Sequence, residues 1–194
     1  MAVGELSSQD RILKFSLDLF SSKGYDAASV REICEAAEIT KPTLYHFFGS
    51  KEGVYRALVD GALEDFRRSM IERLAVPGNI EQRLKLVAWG YFEKAISQRQ
   101  LARFMYSLIY NPPSSAPKTD FLRFYEEIVG LINRAVEEGV MRGELAPGPG
   151  AVRMLVLMGA LGEAARGYLL YGHPDLTPAL AELLVETVLR GWRA

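Results

Sequence analysis

Apolar residues recur three and four positions apart along this chain, and no stretch alternates with period two for long. That spacing belongs to helices with one buried face, so an all-α fold of about nine helices is expected. The first spans about 9–22, with Ile12, Leu13, Ser16, Leu17, Leu19 and Phe20 on its inner face. Lys23-Gly24 ends it, and Gly24 suits the left-handed conformation of a position just past a helix. Ser29-Val-Arg-Glu32 forms a capping box: the serine oxygen accepts from the Glu32 amide while the glutamate reaches back. The second helix then turns Val30, Ile33, Cys34 and Ala37 inward. Thr40 caps a third helix ending at Phe48, with Pro42 in the first turn, where a missing amide hydrogen costs little. Ser50 caps a fourth, over about 50–74.

Pro77-Gly78 interrupts the pattern, and Asn79-Ile-Glu-Gln82 supplies a second capping box. Further helices fit 80–97, 100–110, 118–141, 150–171 and 178–192, separated by breaks rich in Pro and Gly. Two parts follow. Residues 1–52 form an N-terminal three-helix domain and residues 53–194 a larger C-terminal helical domain, linked by the fourth helix.

Composition adjusts this picture in two ways. The formal net charge over 194 residues is −1, so gross charge does not hold the chain to nucleic acid. In the first fifty residues Arg11, Lys14, Lys23, Arg31 and Lys41 are outnumbered by Glu5, Asp10, Asp18, Asp26, Glu32, Glu35 and Glu38. DNA binding must therefore come from a few placed donors. Cys34 is the single cysteine, which excludes an intrachain disulfide. The first ten residues have no secretory pattern, and the longest apolar run, 154–162, is too short to span a bilayer. A soluble cytoplasmic protein with no membrane partner is expected.

The segment from Ala28 to Lys51 reads as two short capped helices joined by a tight turn and followed by a third. This is the spacing a helix-turn-helix needs to set its second helix in the major groove. In that second helix Leu44 and Phe48 can anchor to the core with Phe47 beside them. Lys41, Pro42, Thr43, Tyr45 and His46 are left toward solvent or DNA. Hydroxyls, an imidazole and an ammonium suit phosphates and base edges. Lys51 opens the next helix, where backbone amides and the helix dipole also favour a phosphate.

In order along the chain come Phe20, Lys23-Gly24-Tyr25, Ser29-Val-Arg-Glu-Ile33, then Ala37, Ile39-Thr-Lys-Pro-Thr-Leu-Tyr-His-Phe-Phe48 and Ser50-Lys-Glu52. Over roughly 10–58 this resembles the DNA-binding domain of TetR-family transcriptional regulators. Pro42 stands where the family often carries a small or polar residue. The resemblance implies that Thr43, Tyr45, His46 and Lys51 contact phosphates, with Arg31 and Lys41 nearer base edges. It also implies a homodimer formed by the C-terminal helices on double-stranded operator DNA, and a ligand cavity in each subunit.

The sequence offers surfaces for both. Val152, Leu155, Val156, Gly159 and Glu163 lie on one stripe of the eighth helix, and Leu180, Leu183, Leu184, Thr187 and Val188 on the ninth. Reading two half-sites about 34–36 Å apart makes dimerisation physically expected. The middle helices are rich in aromatic residues. Trp89, Phe92, Tyr106, Phe124, Tyr125 and Met158 are the candidate effector-binding residues, and they favour a small apolar or aromatic effector over a sugar or nucleotide. Arg103, Arg153, Glu163 and Arg166 offer polar contacts, although solvated faces or interface ion pairs suit most of them.

No phosphate loop, nucleophile elbow, HExxH or metal-ligand spacing is present, so no catalytic residue, metal or cofactor is expected. The expected function is a dimeric repressor released from its operator by an effector. The alternative is a helical ligand carrier or small helical enzyme with an incidental helix-turn-helix-like turn.

Overall fold

The computed structural model describes residues 6–110 and 112–190. Among the described residues there are nine α-helices and no strand: α1 (Ser8–Lys23), α2 (Val30–Ala37), α3 (Lys41–Phe48), α4 (Lys51–Leu74), α5 (Ile80–Ser97), α6 (Arg99–Tyr110), α7 (Phe121–Met141), α8 (Gly150–Tyr171) and α9 (Pro178–Arg190).

The helix ends follow local chemistry. Both capping boxes form, Ser29 with Glu32 at α2 and Asn79 with Gln82 at α5. Thr40 caps α3 by accepting from the Thr43 amide, and the Ser50 oxygen accepts from the Gly53 amide at the start of α4. Three ends differ from expectation. Gly24 has φ +84 with an extended ψ of 162, so it leaves α1 without the left-handed helical turn. Glu38 takes that turn instead at the end of α2, with φ 53 and ψ 50. Helix α7 begins at Phe121 rather than 118, because the Asp120 carboxylate accepts from the Arg123 amide at 3.0 Å and starts the helix there. The expected end of the last helix at 192 lies outside the described residues.

The chain forms two compact units. The first is drawn from Met1–Glu64 and Arg103–Thr119, the second from Asp65–Ala102 and Asp120–Ala194. Helices α4 and α6 therefore each contribute residues to both.

In the first unit α1 packs on α2 and α3, and α2 on α3. Ile12, Phe20, Ile33, Leu44, Val54 and Val59 are buried there. Phe104 joins them from α6. Its ring lies 6.4 Å from that of Phe20 and 6.2 Å from that of Tyr55. Ser115 also hydrogen-bonds Asp26, in the turn before α2.

In the second unit α5 packs against α7, α8 and α9 around Leu84, Phe92, Ile132, Leu157, Leu161, Val185 and Leu189, all buried. Gly139 lets α7 approach closely, since a Cβ there would meet the Ile80 side chain at 2.9 Å. Polar ties cross the packed helices: Lys85 Nζ donates to Glu186 at 2.6 Å, and Arg83 to the Leu74 carbonyl at 2.7 Å. No helix among the described residues is long and apolar enough to cross a membrane.

Candidate nucleic-acid interface

Helix α3 carries a single buried side chain, Leu44. Burying a leucine contributes roughly 1.5–3 kcal/mol toward seating this two-turn helix by one face. Lys41, Pro42, Tyr45 and His46 are exposed, Tyr45 at 49%, and they form the outward surface of the helix. Thr43 is half-buried, its hydroxyl 2.8 Å from that of Thr40. The two phenylalanines part company. Phe48 is half-buried, but Phe47 is 43% exposed, so it belongs with the outward surface rather than beside the Leu44 anchor. Its ring lies edge-on to His46 at 5.3 Å.

Arg31 projects from the first turn of α2 and pairs with Glu35, Nε to Oε1 at 2.7 Å. That partner was not singled out from the sequence, although the i,i+4 spacing is visible there. Lys23 and Ser29 both hydrogen-bond Glu32 and hold its carboxyl at about 2.

Lys51 is placed differently from the other candidates. Its ammonium donates to the carbonyls of Tyr25 and Ala28, each at 2.9 Å, and sits 4.2 Å from the centre of the Tyr25 ring. A cation over an aromatic face contributes about 0.5–2 kcal/mol. Tyr25 is buried, 5.4 Å from Phe20 and 5.0 Å from Tyr55 between ring centres. Burial, then the carboxylates of Glu52 and Asp26, push its phenol above the usual value.

The six effector candidates are dispersed. Tyr106 lies in the first unit and the other five in the second. Phe92 is fully buried, Trp89, Phe124 and Met158 are half-buried, and Tyr125 is exposed. Phe66 and Tyr91, which are not among the six candidates, complete an aromatic group. Phe66 stands 5.5 Å from Tyr91 and 6.1 Å from Phe124, both edge-on, while Tyr91 stands 6.5 Å from Phe92. A pocket of about 260 Å³ opens elsewhere in this unit, lined by Asn79, Ile80, Glu81, Glu144, Leu145 and Leu189. Arg153, expected to suit a solvated face, is instead buried on α8, while Glu163 and Arg166 pair one turn apart at 2.5 Å.

Residues 12–58, which contain most of α1, all of α2 and α3 and the start of α4, match the model of the bacterial regulatory proteins of the tetR family. The chain carries a TetR-family DNA-binding domain over those residues. The chain is 26% identical over 144 residues to the transcriptional regulator UidR of Escherichia coli strain K12, covering 72% of this chain and 70% of UidR. It is 29% identical over 105 residues to the probable regulator YttP of Bacillus subtilis strain 168, a match spanning 53% of this chain and half of YttP. Among solved structures, the TetR-family regulator PfmR of Thermus thermophilus shares the fold with a TM-score of 0.75 at 21% identity, covering 93% of this chain and 98% of PfmR. FadR of Bacillus subtilis, solved with stearoyl-CoA, does so with a TM-score of 0.73 at 18% identity, covering 94% of this chain and 98% of FadR.

An apolar stripe of α8 stands in solvent: Val152, Leu155 and Val156 are all exposed, Leu155 at 65%. Gly159 and Glu163 continue it. On α9 Leu183 and Thr187 are exposed, while Leu180, Leu184 and Val188 are half-buried. His173 lies in the exposed turn between these helices, with a cis bond to Pro174.

Proposed function

We propose that this protein is a homodimeric TetR-family repressor that leaves its operator when a small apolar or aromatic effector binds. The observation that carries the DNA-reading assignment is α3, whose one buried side chain is Leu44 and which presents Lys41, Tyr45 and His46 outward. In this reading Thr43, Tyr45 and His46 contact phosphates, and Arg31 and Lys41 lie nearer base edges. DNA reading falls to residues 1–52, effector binding and dimerisation to 53–194, with α4 common to both.

Dimerisation is assigned to α8 and α9, because an uncovered stripe of Val152, Leu155, Val156 and Leu183 is costly in water. The effector assignment is supported by the aromatic group of Phe66, Tyr91, Phe92 and Phe124, with Trp89 one turn from Phe92 on α5. FadR of Bacillus subtilis, which shares the fold, is solved in complex with stearoyl-CoA, and that supports an effector with apolar character here. Release requires that the effector bind the DNA-incompetent state more tightly than the DNA-bound one; occupancy alone shifts nothing.

The deciding experiment is a titration of DNA from the chain's own promoter region at several salt concentrations. Binding that weakens steeply with salt is expected. A second titration with candidate apolar ligands should lower operator affinity. Absence of salt-sensitive binding would defeat the regulator reading, and ligand binding without loss of affinity would defeat the release mechanism.

A further inference from the structure

Lys51 ends on the backbone of the segment that enters α2. Two of its three ammonium hydrogens are used by the carbonyls of Tyr25 and Ala28, and the charge rests against the Tyr25 ring. Ala28 immediately precedes Ser29, the cap of α2, so one side chain fixes the start of α2 against the first turn of α4. The anchor itself is firm. Tyr25 is buried and packed against Phe20 and Tyr55, and both of those rings also meet Phe104.

We infer that Lys51 is a positioning residue: a tie that sets α2 and α4 in the geometry DNA requires, with a charge that is not exchanged against phosphate counterions. Tyr25 then belongs to the DNA-binding machinery although it is buried and touches no nucleic acid. The inference rests on the DNA-binding reading above, and it replaces the phosphate contact that the family resemblance implies for Lys51. A cation that grips a phosphate acts through its charge. This one acts through the carbonyls it holds, so the groups it aligns are Arg31 and the capped turn of α2.

Salt dependence separates the two roles, because each phosphate-bound cation contributes about 0.9 to the slope of log affinity against log salt. The measurement is fluorescence anisotropy of the full chain on a mixed-sequence duplex of about 40 base pairs, long enough for non-specific binding. It is made at a temperature where circular dichroism shows each variant folded. Lys51→Met and Tyr25→Leu are each expected to lower affinity roughly tenfold at every salt concentration, with the slope of the unmodified chain. A slope reduced by about 0.9 in Lys51→Met, with Tyr25→Leu binding normally, makes Lys51 a phosphate ligand and overturns the inference. Folded Lys51→Met binding as tightly as the unmodified chain overturns it as well, because the tie then serves stability alone. Should Tyr25→Leu not fold, Lys51→Met decides the matter by itself. If the unmodified chain binds no duplex, the DNA-binding reading fails separately. The tie is then judged by hydrogen exchange at the amides of residues 29–33: faster exchange in Lys51→Met upholds it, and unchanged exchange refutes it.

Discussion

Arg31 and Glu35 face each other one turn apart on α2, the guanidinium Nε 2.7 Å from the carboxylate. Both side chains are mostly in water, so the pair adds little to stability, about 0–1 kcal/mol. Its weight falls on DNA binding, because the carboxylate occupies a donor that base edges or phosphates need and repels the backbone besides. Glu35→Gln is expected to raise affinity for promoter DNA several-fold at low salt, with the melting temperature nearly unchanged. Anisotropy titrations check it, and an unchanged or weaker affinity would place Arg31 outside the contact surface.

Tyr45 is half exposed and next to the buried Leu44. Replacing it with Ala removes a hydroxyl and a ring from the outward surface without opening a cavity. Operator affinity should fall at least tenfold while the thermal midpoint moves little. A mobility-shift assay showing unaltered binding would remove Tyr45 from the interface.

Leu44→Ala should act in the opposite sense. It empties the one buried position of α3 and is expected to cost about 2–5 kcal/mol, loosening the recognition helix. Denaturant unfolding measures the loss directly. A cost under about 1 kcal/mol would mean that α3 is held by other contacts.

Glu32 gives the fold a pH dependence of known sign. Its carboxyl is held at about 2 by Lys23 and Ser29, below the ordinary 4.5. The stabilisation is therefore complete above the ordinary value and lost as pH falls toward the lowered one. The melting temperature should drop through that window, and Glu32→Gln should flatten its share of the drop. A variant with the slope of the unmodified chain would refute the assignment.

Leu155→Glu places a charge on the exposed stripe of α8 without touching the buried face of that helix. Sedimentation at micromolar concentration should show a dimer for the unmodified chain and a monomer for the variant. A dimer in both would move the interface elsewhere.

Much of this molecule is legible in its sequence where the deciding interactions are local. Ser29 with Glu32, Asn79 with Gln82, and Thr40 ahead of Pro42 each set a helix start through groups three residues apart, and all three form. The start of α7 was also legible, because Asp120 is a preferred capping residue directly before the apolar Phe121, whereas Lys118 is not. Periodicity placed Leu44 correctly and Phe47 wrongly, since one helix face looks equally apolar whether or not a neighbour covers it. Lys51 and Tyr25 stand 26 residues apart. Their contact depends on how α1, α2 and α4 pack, which no spacing rule encodes. The group of Phe66, Tyr91 and Phe124 was hidden for the same reason, its members lying on three different helices.

Phe104 sets a limit on how this protein can be dissected. Its ring, carried on α6, lies against Phe20 and Tyr55 of the first unit. A fragment ending with α4 would leave those two rings facing water. The DNA-reading end is therefore not a transplantable cassette: a chimera that joins it to a foreign sensor must bring along residue 104 or supply another aromatic ring in its place.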